Sequence, residues 1–302
     1  MDLTLNGLVP NWFLPTLASA LALGFYDFCK KHAVKDNAVP PVLFLTTLSG
    51  SVTFVLFTLL SGNWSIATNC TPSVYGLILL KSVIVAASWW CVFYSMRDLP
   101  LSIAAPIRAS APLWTFLGSL AIYSEIPTWI QGAAMLLIFV GYCIFSTIGK
   151  MEGFSLRSGG MIWLFSGTLL GACSALYDKF LLHQIAIPRE VVQFYFAVNL
   201  LPVLGAGWWI THKFKLAGTV KFQWRYTIIP AGALLILADY LYFYAVGLPE
   251  SRISILSLVR RCGCIVPFTL GALYFHDKHI RSKAAALLLI LFGVAILGLC
   301  SK

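Results

Sequence analysis

Ten apolar stretches of about 20 residues take up nearly the whole chain. They cover 12–34, 40–61, 73–96, 100–122, 127–148, 160–182, 190–211, 225–247, 252–274 and 281–300. At a rise of about 1.5 Å per residue, a helix of that length crosses a hydrocarbon core of about 30 Å. The connections are short. Even the longest polar ones, 149–159 and 212–224, leave no room for a domain outside the membrane. Hydrophobic residues make up 59% of the sequence and charged ones 11%, where a soluble domain carries about 25% charged residues. A transmembrane β-barrel would alternate over strands of about ten residues, and these runs are continuous. The sequence therefore predicts an all-α membrane protein with ten transmembrane helices. The first eleven residues contain no Lys or Arg, so the first span is expected to stay as an anchor and not to be removed as a signal peptide.

Basic residues set the expected orientation. Of the 21 Lys and Arg, thirteen fall in loops after odd-numbered spans, Lys30, Lys31 and Lys35 among them. Only Arg189, Arg252 and Lys302 fall on the other side. Cytoplasmic loops collect positive charge, so both termini are expected outside a bacterial inner (plasma) membrane. The same face accounts for the formal net charge of +10 without nucleic acid. The eight cysteines lie mostly within spans, where Cys acts as a small apolar residue. Cys262-Gly-Cys264 lacks CxxC spacing, and His276 and His279 fall in a basic turn, so no metal is expected. Asn69-Cys70-Thr71 is a formal glycosylation sequon, weakened by the span beside it and by Pro72.

The chain is written twice. Tyr26, Asp27 and His32 match Tyr177, Asp178 and His183 at an offset of 151. At an offset of 152, Arg108 matches Arg260, Glu125 matches Asp277, and LLIFVG (136–141) matches LLILFG (288–293). Leu99-Pro100 also corresponds to Leu248-Pro249, with ESR inserted after the second pair. The halves are 1–150 and 151–302. Each holds five spans, and because five is odd the second enters the membrane in the opposite sense. Two inverted five-helix repeats are the architecture of secondary transporters, whose site lies at the midplane between halves. Close contact between the halves is expected where small residues collect in the fifth and tenth spans: Gly132, Ala133 and Gly141, with Ala284, Ala285, Ala286, Gly293 and Gly298.

Two such halves, each ending in a pattern like PLSIAAPIRASAPLWTFLGSLAIYSEIPTWIQGAAMLLIFVGY, resemble the ten-span, EamA-type members of the drug/metabolite transporter superfamily. The marks are the small residues and prolines of the fourth span, Glu125 at its end, and the glycine-containing fifth span. The second half departs from them, with Asp277 where Glu is usual and LVRRCGC where small neutral residues are common. The resemblance implies transport, of substrates that range over amino acids, nucleotide sugars, sugar phosphates and drugs.

Charges inside the spans narrow the substrate. A Lys, Arg or Asp at mid-membrane costs about 2.5–3.5 kcal/mol on insertion scales, so such residues face a cavity and take partners. Lys81, Arg108, Asp239, Arg260 and Arg261 each lie roughly eight or more residues from their span ends, hence near the midplane. Four cations against one anion leave an excess that an anionic substrate would neutralise. With Asp27, Asp178 and Lys179 added, the balance is still five basic to three acidic. Arginine's planar fork suits phosphate or carboxylate oxygens. The pattern is similar to the plastid sugar-phosphate translocators, which bind phosphate with a basic residue in the fourth span and a basic pair in the ninth. That likeness implies the same role for Arg108, Arg260 and Arg261. Lys81 is expected either at the ligand or balancing Asp239, and Tyr240 stacking on a ligand ring. Asp27 and Asp178 are read as gating or coupling residues, or else as charge balance for Lys30 and Lys179.

The expected function is a secondary carrier for a small organic anion, foremost a phosphorylated metabolite. Its partners would be that substrate and the lipid bilayer, with the oligomeric state left open. No cofactor is expected, and nothing reads as a nucleotide-binding loop that would let ATP drive it. An exporter of amino acids or amphipathic drug-like metabolites is the alternative. A membrane-embedded lipid-phosphate enzyme is disfavoured because His32, His183, His276 and His279 are scattered.

Overall fold

Helices form where the apolar stretches run, and local chemistry sets their ends. The computed structural model describes residues 10–98, 108, 111–150, 159–214, 220–264, 266, 270, 285, 286, 288–290, 292, 293, 295 and 296. All regular secondary structure among them is helical. In chain order we label α1 (Phe13–Val34), α2 (Val39–Leu60), α3 (Pro72–Asp98), α4 (Ala111–Tyr123) and α5 (Trp129–Lys150). The second half supplies α6 (Gly159–Lys179), α7 (Arg189–Lys213), α8 (Ile228–Val246) and α9 (Ile253–Arg261). A π-helical turn, Phe180–Gln184, continues α6, and a 3₁₀ turn, Cys262–Cys264, continues α9. The described residues between 285 and 296 are helical and mark the tenth stretch.

Asn37 ends α1 and starts α2. Its amide nitrogen donates to the carbonyls of Ala33 (3.0 Å) and Gln223 (2.7 Å), and its oxygen accepts from the backbone N–H of Ala38 and of Gln223, both at 2.8 Å. Pro40 and Pro41 follow in the first turn of α2, where a missing N–H loses no helical bond.

By length and composition, α2, α7, α8 and the segment Pro72–Arg97 of α3 can cross a membrane; the apolar helices Ala111–Tyr123 and Trp129–Gly141 are shorter. The expectation of ten spans is met only that far. Helices α1 and α6 have 22 and 21 residues, but they carry Asp27, Lys30 and Lys31, and Asp178 and Lys179. Of these, Asp27, Lys30 and Asp178 belong to the polar interior of the bundle.

The helices interleave. α1 packs on α8 and α9, α6 on α3 and α4, α2 on α7 and α8, α3 on α7, and α4 on α9. Each of these contacts joins the first half of the chain to the second, so the halves share one core, with Phe93, Ile138, Leu200 and Phe243 in the same cluster. Glycines set the closest approaches. A Cβ on Gly24 would strike the carbonyl oxygen of Gly263, and one on Gly263 that of Ala20, so α1 and the 3₁₀ turn meet backbone to backbone. A Cβ on Gly141 would lie 2.7 Å from Ile290 and 3.0 Å from the Ala286 carbonyl; one on Gly293 would lie 2.6 Å from Ile138 and 2.9 Å from the Ala134 carbonyl. The fifth and tenth stretches thus touch at three of the expected small residues, Gly141, Ala286 and Gly293. Gly132, expected there too, meets nothing where its Cβ would be among the described residues.

Candidate functional site

A cavity of about 180 Å³ lies among α1, α3, α4, α6, α8 and α9, with Phe196 of α7 at its wall. Its charged lining is Lys30, Lys81, Arg108, Asp178, Asp239 and Arg260. Sites of this kind form where facing helices point polar side chains inward and the outward faces stay apolar.

Each described base in the cavity holds a carboxylate. Arg260 donates to Asp239 at 2.6 Å, and its guanidinium lies 4.1 Å from the centre of the Tyr242 ring. Lys81, 2% exposed, is hydrogen-bonded to Asp178 and flanked by the rings of Phe196 (4.5 Å) and Phe243 (4.9 Å). Arg108 reaches both oxygens of Asp27, at 3.3 and 3.4 Å, and Lys30 shares that carboxylate at 2.5 Å. Two polar atoms stay unmet. The Nε of Arg260 and the hydroxyl of Tyr242 are buried without a hydrogen bond of ordinary geometry among the described residues, although Tyr242 lies beside Asp178. An unmet buried donor costs about 1–3 kcal/mol, and a ligand oxygen would relieve it.

Partner choice differs from the sequence expectation at Lys81 and at Asp178. Lys81 takes Asp178 and not Asp239, which Arg260 holds. Asp27 does pair with Lys30, three residues on and on the same helix face. Asp178 does not pair with Lys179, because adjacent residues on a helix point about 100° apart; Lys179 turns to Glu125. Lys30, assigned from sequence to a cytoplasmic loop, is 3% exposed and faces the cavity. Among the described residues, the lining and Asp27 together hold four bases and three acids.

Tyr240 lies away from the cavity, edge-on to Phe57 at 5.4 Å. Tyr242 lines it instead. The signal was present in the sequence, since residues 239 and 242 share a helix face and 239 and 240 do not. Arg261 ends α9, and its side chain lies outside the described residues. Asp277, His276 and His279 lie outside them as well.

A second polar cluster holds the ends of three helices together. Glu125 accepts from the backbone N–H of Ile253 (3.2 Å) and from the N–H and hydroxyl of Ser254 (3.3 and 2.8 Å). It thereby caps the start of α9, where a carboxylate also meets the positive end of the helix dipole. Lys179 bonds the same carboxylate and donates to the Ser251 carbonyl at 3.1 Å. His183 and Ser251 both donate to the Val246 carbonyl, at 2.5 and 2.8 Å, closing the end of α8. Burial pushes the Glu125 carboxyl up, but the hydrogen bond and charge of Lys179 and the bonds from Ser254 overcome this and hold it below its ordinary 4.5.

Comparison with known proteins agrees with this architecture. A crystal structure of a protein 17% identical in sequence superposes with a TM-score of 0.71, over 96% of this chain and 97% of the other. At that identity the likeness carries the fold alone. No curated protein matches the sequence. A family match covers most of the first half, from α1 through nearly all of α5. With its long apolar helices the chain is an integral membrane protein, and its residues 11–147 match the model of the EamA-like transporter family, part of the drug/metabolite transporter superfamily.

Proposed function

We propose that the chain is a secondary carrier for a small organic anion, built as ten spans in two inverted five-helix repeats. The family supports transport. The repeat reading is supported by the contacts of Gly141 with Ile290 and Ala286, and of Gly293 with Ile138 and Ala134. Each residue of the first half in that set has its counterpart 152 positions on. Helix packing pairs up under the same exchange: α1 on α8 corresponds to α6 on α3, and α1 on α9 to α6 on α4.

The observation that carries the substrate reading is Arg260. Asp239 occupies one guanidinium nitrogen, and Nε, buried in the cavity wall, has no hydrogen bond among the described residues. Half of a fork that fits planar oxygen pairs is therefore unused. Phosphate or carboxylate oxygens complete it, with Arg108, also in the cavity lining, as second contact. A phosphorylated metabolite is the leading candidate. A zwitterion is the second reading, supported by Asp239 beside Arg260, a carboxylate for an ammonium and a guanidinium for a carboxylate.

Thermal unfolding of the purified protein with phosphorylated metabolites, carboxylates and amino acids separates the two. A ligand at 100 times its Kd stabilises by about 2.7 kcal/mol. Asp239→Asn should spare stabilisation by an anion and abolish that by an amino acid. No stabilisation by any anion or zwitterion would reject both.

A further inference from the structure

Asp27 and Asp178 recur at an offset of 151, and Arg108 and Arg260 at 152. In the first half the recurring acid and base hold each other. In the second half they are apart, Asp178 on Lys81 and Arg260 on Asp239. Neither of these two holders recurs. At the offset of 149 that relates Leu99-Pro100 to Leu248-Pro249, Asp239 corresponds to Trp90 and Lys81 to Pro230. Yet Asp178 and Arg260 line one cavity, and their charges interact across it.

A carrier made of inverted repeats alternates access by moving one repeat against the other around a fixed site. When its halves trade conformations, an interaction made inside one half in one state is made inside the other half in the opposite state. We infer that Asp27–Arg108 and Asp178–Arg260 are alternative ion pairs, the first made in the state described here and the second in the opposite-facing state. Lys81 and Asp239 are the residues that hold the second pair apart. This rests on the inverted-repeat reading above. The exchange moves no net charge. Asp27 keeps Lys30 when Arg108 leaves it, so Arg108 is the base released to the cavity in the opposite-facing state. Lys81 and Asp239, freed together, leave one ammonium and one carboxylate facing the same space.

The test measures access without substrate. In a cysteine-free background, a single reporter cysteine at Ser257, which lines the cavity, is labelled with a membrane-impermeant maleimide in right-side-out and in inside-out vesicles. The double variant Lys81→Gln/Asp239→Asn removes both holders and leaves Asp178 and Arg260 to each other. It should shift the ratio of labelling from the two sides by about fivefold or more. Asp27→Asn, which breaks the first pair, should shift it the same way. Adding Asp178→Asn to the double variant should abolish its shift. An unchanged ratio in the double variant, a shift that survives Asp178→Asn, or an opposite shift in Asp27→Asn overturns the exchange. Reporter fusions between the third and fourth apolar stretches and between the eighth and ninth test the repeat separately. Equivalent loops on the same side of the membrane would reject the inversion itself, whereas opposite sides with no change in access would reject the pair exchange alone.

Discussion

The carboxylate of Glu125 accepts both the amide N–H and the hydroxyl of Ser254, at 3.3 and 2.8 Å, and so a residue of the first half caps a helix of the second. With Lys179 on its other side, this carboxylate is 7% exposed and held by one ionised partner and three neutral donors. Removing one member of a buried pair costs about 3–5 kcal/mol. Glu125→Ala should therefore lower the melting temperature sharply, and Glu125→Gln less so, because the amide oxygen still accepts from Ser254.

The same carboxyl predicts an acid limit. Its value in the folded protein lies below the ordinary 4.5. The stabilisation it gives is complete above the ordinary value and is lost as pH falls through the lowered one. Melting temperatures measured from pH 7 to pH 3 should fall in the acid arm for the wild type, and the fall should be shallower in Glu125→Gln. Parallel curves would remove Glu125 from the acid response.

Arg260 has both a structural and a binding role, and the two separate by mutation. Arg260→Ala strands Asp239 and should cost about 3–5 kcal/mol. Arg260→Ala/Asp239→Asn should restore the melting temperature without restoring stabilisation by an anion. Arg260→Lys keeps the charge but loses the fork, so it should hold stability and recover only part of the ligand effect. Full ligand stabilisation in the rescued double variant would place the anion elsewhere.

Tyr242 and Tyr240 make a matched pair of controls. Tyr242→Phe keeps the ring under Arg260 and removes only an unmet hydroxyl, so stability should change by less than about 0.5 kcal/mol while ligand affinity changes. Tyr240→Phe should alter neither. Calorimetric titration of both variants with the same ligand decides it.

Orientation is tested by reporter fusions. A tag at Lys302 should report outside and one in the 212–224 loop inside, because Lys213, Lys215 and Lys221 hold that loop in the cytoplasm. The reverse pattern would invert the protein in its membrane and leave the cavity as described.

The sequence located the elements well and their partners poorly. Apolar length marks a helix by itself, so α1 to α9 fall on the stretches read from hydropathy. Span edges read from composition placed Lys30 in a loop, although its spacing of three from Asp27 had put both on one helix face. Which carboxylate a base takes is set by helix neighbours, and those are tertiary. Lys81 meets Asp178 only because α3 packs on α6. Lys179, one residue further along, finds Glu125 because a rotation of about 100° turns it to another helix. Tyr242 was legible from periodicity. The cap from Glu125 to Ser254 was not, because no local rule links residues so far apart in the chain.

Backbone-to-backbone contact between Gly24 and Gly263 has a kinetic meaning. Most helix interfaces interlock side chains, so sliding one helix past another must first unseat each knob from its hole. Here the closest approach is between bare peptide groups, with Val266 as the side chain against Gly24, and the contact lies one turn from Asp27 on one side and from Arg260 on the other. The site's charged residues are thus mounted next to a smooth bearing. A methyl group at either glycine would act as grit in it, meeting a backbone carbonyl that cannot step aside and pushing α1 and the end of α9 apart.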